Sequence, residues 1–231
     1  GAFQILFRAA PGEFVAYCDD DFYFEPGWLE AHLRILEAYP KVGMVSGYVV
    51  PTFFDPARIS SNISFSQESQ VAAERGKFIQ ETWIRDWAIS TGREPAQALV
   101  EAEEIKELSL TFQGVTAFAA ANHDQFVAPK AVAVSALPDR WSGRLMGEMI
   151  EFDERVNSMG YLRLATTSRM SRHLGNVLPQ DLEVGSSSSE VPSRASLASK
   201  PSFKARFLRW QPVRSLLLGI YSHLFRWINP E

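Results

Sequence analysis

The chain has little cysteine. Cys18 is the only one in 231 residues, so no internal disulfide is possible and a reducing compartment suits the protein. It also lacks a large excess of charge. With 23 Lys and Arg against 27 Asp and Glu, the net charge of −4 gives no general attraction to a polyanion, and nucleic acid is not an expected partner. No basic, apolar leader of the secretory kind follows Gly1, and no internal repeat is found. Apolar residues at 46% and charged residues at 22% are ordinary for a soluble globular protein. The length is ample for one well-buried domain and marginal for two.

The most informative feature is a row of three acids, Asp19, Asp20 and Asp21, directly after the apolar run Phe14-Val15-Ala16-Tyr17-Cys18. The run is entered from the turn Pro11-Gly12 and reads as a buried strand, with Cys18 as a small buried hydrophobe. Three like charges at a strand end repel one another and are costly to desolvate. A hard divalent cation, Mg²⁺ or Mn²⁺, relieves that repulsion and bridges carboxylates to phosphates. The alternative for such a row is a solvated acidic turn.

Along the chain, residues 1–10 read as the tail of a helix leading into this strand. Trp28, Leu29, Leu33 and Leu36 recur at helical spacing until Pro40, with Pro26 at the helix start. Val42 to Val50 reads as the next strand, ended by Pro51. Strand, helix, strand argues for an α/β sheet. Residues 52–66 read as irregular, 67–89 and 95–107 as helices, and 110–134 as a return to β character. His123-Asp124 reads as turn chemistry. A helix is expected from Arg144 to Met159, with the apolar stripe Leu145, Met149, Phe152, Val156 and Met159, and Gly160 at its end. Asp153 falls off this stripe and reads as solvated. Tyr161 to Thr167 reads as a further strand. Asn62-Ile63-Ser64 is formally a glycosylation triplet, although nothing else looks secreted.

Two blocks carry a resemblance. Gly12-Glu13 through Asp21, followed by Glu25-Pro26-Gly27-Trp28-Leu29, resembles the strand-and-acids segment of family 2 nucleotide-sugar glycosyltransferases. Gly147-Glu148, Arg155, Gly160-Tyr161-Leu162-Arg163-Leu164 and His173-Leu174-Gly175-Asn176 resemble that family's acidic catalytic helix, the strand after it and a late histidine element. The resemblance spans roughly residues 1–178. It implies a GT-A, Rossmann-like mixed sheet flanked by helices. The first strand–helix–strand half has no counterpart before Gly1, so a longer enzyme truncated at its N-terminus is expected. Residues 52–110, which match no family motif well, are expected to be a variable acceptor-side insertion or simply a helical insertion on the sheet.

By the same resemblance the donor is a nucleoside-diphosphate sugar, and the acceptor is a glycan or a lipid-linked glycan. Asp20 would contact the ribose and Asp21 would bind the cation, with Asp19 supporting the loop or reaching the cation through water. His173 would complete the cation site. Inverting transfer needs a carboxylate base. The family's usual Asp corresponds to Met149, a departure, which leaves the adjacent Glu148 and the next-turn Glu151 as candidates. Glu151 and Arg155, at i and i+4, equally suit an ordinary surface pair. Trp141 is placed to stack on an acceptor sugar or to pack in a core or lid.

Residues 180–203, with Ser186 to Ser189, read as a flexible Ser/Pro-rich linker. Residues 204–231 mix Lys204, Arg206, Arg209, Arg214 and Arg226 with Phe207, Trp210, Phe225 and Trp227. No uncharged run there is long enough to span a bilayer. The pattern suits an amphipathic helix at an anionic membrane surface, peripheral on the cytoplasmic face, or a helix docked on the domain. Two rival classes share the acid row. A haloacid-dehalogenase-like phosphatase fits Asp19 and Asp21, but it expects Thr or Val where Tyr23 stands and a downstream Gly-Asp motif that is absent. A membrane-associated nucleotide-binding module without turnover fits the missing acid at position 149.

Overall fold

A computed structural model of the chain describes residues 2–138 and 147–175. Trp141, the linker and the C-terminal segment lie outside them. The elements follow in order as α1 Ala2–Ala9, β1 Phe14–Cys18, β2 Phe22–Phe24, α2 Trp28–Ala38, β3 Val42–Ser46, a 3₁₀ turn Pro51–Phe53, α3 Ser60–Phe65 and β4 Ala72–Gly76. Then come α4 Glu81–Ser90, α5 Pro95–Glu103, β5 Glu107–Phe112, β6 Val115–Phe118, β7 Gln125–Pro129, α6 Lys130–Ala136, α7 Gly147–Ser158, β8 Leu162–Ala165 and β9 Ser171–His173.

The fold is mixed α/β. Seven strands form one sheet in the order β1-β7-β3-β8-β6-β5-β4, and β2 pairs with β9 in a separate ribbon. Only β3 and β8 run parallel as neighbours; the other adjacent pairs are antiparallel. Since β1 and β3 both run against β7, the carboxyl ends of β1, β3 and β8 point the same way. In open α/β sheets that end is where ligands bind.

Several expectations change. β1 is an edge strand whose exposure alternates, so Val15 is buried while Phe14, Ala16 and Cys18 are exposed. Cys18 is therefore a surface thiol and not a core residue. The helix expected over 67–89 is a strand and a shorter helix. Ala72, Ala73, Glu74 and Arg75 are helix formers, yet they pair residue by residue with β5 from Thr111 to Leu108. Tertiary pairing overrides local propensity there. Within 52–66, α3 is regular, and 95–107 splits into α5 and the first residue of β5. The β character expected up to 134 stops at Pro129, where α6 begins. Met159 lies past the end of α7 and is exposed at 42%.

Met44 and Val45, adjacent on β3, face opposite sides of the sheet and belong to different apolar clusters. On one side Phe7, Tyr17, Phe126 and Phe152 pack edge to face or stacked, with the Phe126 and Phe152 centroids 5.2 Å apart. Asn62 is buried. It donates to the Arg163 carbonyl at 2.6 Å and accepts from its N–H at 3.1 Å, which closes the glycosylation triplet to any modifying enzyme.

A polar network ties the sheet to the ribbon. The Gln125 side-chain oxygen accepts from the Gly47 N–H at 2.7 Å and the Ser171 hydroxyl at 3.0 Å. Gln125 Nε2 meets His32 Nε2 at 3.2 Å, and His32 Nδ1 donates to the Trp28 carbonyl. A β-carbon on Gly47 would come within 2.7 Å of the Ser171 hydroxyl, so only glycine lets β3 approach so closely. Truncating the stacked ring, Phe152→Ala, should cost about 3–5 kcal/mol of unfolding free energy, read from denaturant midpoints at unchanged slope.

Candidate functional site

The acid row leaves the carboxyl end of β1 and turns into β2. Asp19 is fixed twice, its N–H donating to the Asp124 carbonyl at 2.9 Å and its Oδ1 accepting from the Tyr17 hydroxyl at 2.6 Å. Burial raises the Asp19 pKa above the usual carboxylate value. The Asp124 and Asp21 charges push the same way, while the Tyr17 bond and His173 oppose them. Asp20 is exposed and Asp21 partly so. The repulsion expected from sequence is present.

The β2–β9 ribbon pairs Phe22 with His173, and the Leu174 N–H donates to the Asp21 carbonyl at 2.8 Å. This brings His173 Nε2 to 3.2 Å from Asp21 Oδ2. The ring orientation is fixed from behind. The Ser90 hydroxyl donates to the Trp87 carbonyl at 2.9 Å, so it is free to accept from His173 Nδ1–H at 2.8 Å. Nε2 is then the nitrogen facing the carboxylate. Asp21 supplies the hard oxygen that Mg²⁺ or Mn²⁺ prefers, while imidazole is a ligand that Mg²⁺ seldom takes. Among the described residues no group of three or more His, Cys, Asp and Glu converges on one point. Gly175, at φ 59°, packs so tightly that a β-carbon would meet the Ser90 carbonyl oxygen at 2.1 Å. That contact locks the end of α4 to the ribbon.

The candidate bases fare differently. Glu151 accepts from Arg155 Nη2 at 2.7 Å, the i,i+4 surface pair. Glu148 lies in the first turn of α7, and its side chain is outside the described atoms. Met149 is buried in the apolar cluster.

Two groups that the sequence reading set aside hold a central place. Asp153 is not solvated but fully buried. Its Oδ2 lies 2.7 Å from both Arg163 Nη2 and His123 Nδ1, while Oδ1 has no hydrogen-bond partner among the described residues. His123 Nε2 stands 3.4 Å from Asp124 Oδ1, and the buried Tyr48 hydroxyl stands 3.4 Å from Asp124 Oδ2. His123-Asp124 is thus more than turn chemistry. The signal lay in spacing, because Asp153 is four residues after Met149 and shares its helix face. A cavity of about 610 Å³ bounded by Lys41, Ser60, Ser64 and Gly160 lies at the opposite ends of β3 and β8, away from this cluster.

A mixed sheet flanked by helices, with a carboxylate row leaving an edge strand, is consistent with a GT-A fold. Residues 1–87 match the model of Glycosyl transferase family 2. The match holds Asp19 to Asp21 and stops short of His123, α7 and His173. No curated protein and no solved structure matches the chain.

Two buried histidines give stability opposite pH dependences. Burial lowers the His123 pKa, but the Asp153 hydrogen bond and charge and the Asp124 charge outweigh it, and the net shift is upward from 6.5. Its contribution is complete below about pH 6.5 and disappears as pH rises through the raised value. Burial moves His32 downward, so its contribution is present above about pH 6.5 and is lost as pH falls through the lowered value. The stability difference between wild type and His123→Gln should therefore shrink with rising pH in urea titrations. The difference between wild type and His32→Gln should shrink with falling pH.

Proposed function

We propose that the protein transfers a sugar from a nucleoside-diphosphate donor to an acceptor hydroxyl, with inversion and with a divalent cation at Asp21 and His173. The observation that carries this reading is the ribbon contact of Asp21 with His173 at 3.2 Å, beside the acid row of a family 2 domain. Asp20, exposed on the same turn, would take the donor ribose, and Asp19 would hold the loop through Tyr17 and Asp124. When bound, the cation supplies electrophilic stabilisation of the charge that develops on the departing diphosphate. Ser90 keeps the His173 ring turned toward Asp21.

Calorimetry tests this reading. UDP, GDP or dTDP should bind with Mn²⁺ present, EDTA should abolish the binding, and Asp21→Ala should remove it. Ser90→Ala should weaken Mn²⁺ affinity by about 10–100-fold, as loss of an orienting partner does. Diphosphate binding that is indifferent to EDTA would end the metal assignment.

The acceptor is a cell-envelope glycan or a lipid-linked glycan on this reading, reached at the inner face of the membrane. Among the described residues no helix is long and apolar enough to cross a membrane. The basic, aromatic segment 204–231 supports peripheral attachment instead. Each Lys or Arg near an anionic surface contributes about 1 kcal/mol, screened by salt. The full chain should sediment with anionic vesicles at low salt, and a chain ending at Ser199 should stay in the supernatant. Equal sedimentation of the two would place the segment on the domain.

A further inference from the structure

An inverting transfer needs a group to take the acceptor proton, and α7 offers no acid at position 149. Met149 is sealed in the apolar cluster, and Glu151 is engaged by Arg155. The same helix face carries Asp153 one turn on, too deep to meet a substrate. It does not end there. His123 Nδ1–H donates to Asp153 Oδ2 at 2.7 Å, which leaves Nε2 facing Asp124 at 3.4 Å. The Asp124 carbonyl receives the Asp19 N–H, so this nitrogen is one residue removed from the acid row.

A purely structural role explains this arrangement less well. Arg163 and Asp153 already neutralise each other, and Arg163 is also held by the carbonyls of Ala121 and Arg58. That pair does not need a third ionisable group to neutralise it, and the imidazole's other nitrogen is turned to the Asp124 carboxylate beyond. What the imidazole adds is a link from a buried carboxylate to Asp124 beside the acid row, the orienting arrangement of an activated base.

We propose that His123, oriented by Asp153, accepts the proton of the acceptor hydroxyl; this inference rests on the transferase reading above. The acceptor O–H bond breaks as its oxygen bonds to the anomeric carbon, and the proton passes to Nε2. The bond from the anomeric carbon to the donor phosphate oxygen breaks, and its electron pair leaves with the nucleoside diphosphate. The imidazolium then lies between the carboxylates of Asp153 and Asp124. The groups facing it are Asp153 from α7, Arg163 from β8 and Asp124 from the loop before β7, with Tyr48 and Asp19 beyond Asp124.

The test uses the full chain with Mn²⁺ and UDP-glucose, GDP-mannose and dTDP-glucose, following diphosphate release against pH and UDP, GDP and dTDP binding by calorimetry. Wild-type kcat should rise with pH to a plateau. His123→Gln should lower kcat by about 10²–10⁴-fold while diphosphate affinity stays within about threefold, which also shows that the variant is folded. Asp153→Asn should move the rising limb to lower pH, since a carboxylate partner is lost. Added imidazole should raise the rate of His123→Gly at least about tenfold, a response that a structural histidine would not give. A kcat in His123→Gln within about fivefold of wild type overturns the proposal. So does a Glu148→Gln variant that loses turnover while His123→Gln keeps it. Failure of the wild type to bind any of the three diphosphates removes the transferase reading itself, and is distinguishable from both.

Discussion

Like charges at the end of a strand are the constraint on which the site depends. Asp19 and Asp21 follow β1, and Asp124 precedes β7, its hydrogen-bonded neighbour. Unit charges this close repel by several kcal/mol at the effective dielectric of a protein surface, on the order of 4 kcal/mol at 4 Å. The fold answers with groups from distant parts of the chain. His173 reaches Asp21 through the β2–β9 ribbon, and His123 reaches Asp124 from the adjacent position.

Behind this charged end the interior is organised by pairs that leave few loose donors. Arg163 is almost wholly enclosed, and its guanidinium meets Asp153, Ala121 and Arg58. Its backbone is clasped by Asn62 on both sides of the peptide. The one buried side-chain polar atom without a partner among the described residues is Asp153 Oδ1, in the same cluster. The His32–Gln125–Ser171 network plays the complementary part, joining α2, β3, β7 and β9 so that the ribbon cannot drift from the sheet.

The family match and the chemistry of the site divide the chain unequally. Residues 1–87 supply the acids and the loop that carries them. The histidine that meets Asp21, the buried Asp153 and the His123 that reaches it all come from later in the chain. Ser90 and Gly175 join the two parts, because the serine orients His173 and the glycine lets the chain after β9 close on the serine's carbonyl.

Much of this was legible beforehand where local pattern decides. The five apolar residues before Asp19 form β1, the Trp28–Leu36 spacing forms α2, and Gly160 ends the region of α7. The contact between Asp21 and His173 was foreshadowed by family resemblance, not by spacing. Local pattern misled where pairing partners lie far away. Ala72 to Gly76 has helical composition and becomes a strand because it pairs with β5, and Cys18 is exposed because it shares with Phe14 and Ala16 the face of β1 that no described residue covers. Asp153 looked solvated because an acid near an apolar stripe is usually at its edge. The sequence by itself determined the acid row, its strand and the period of the helices, since these follow from residues within a few positions of one another. Only the tertiary structure decided that Asp153 is buried, that His123 lies between it and Asp124 and that Ser90 holds His173. The His123 and Ser90 contacts reach across at least thirty residues, and the charge that lets Asp153 be buried, Arg163, stands on a different element.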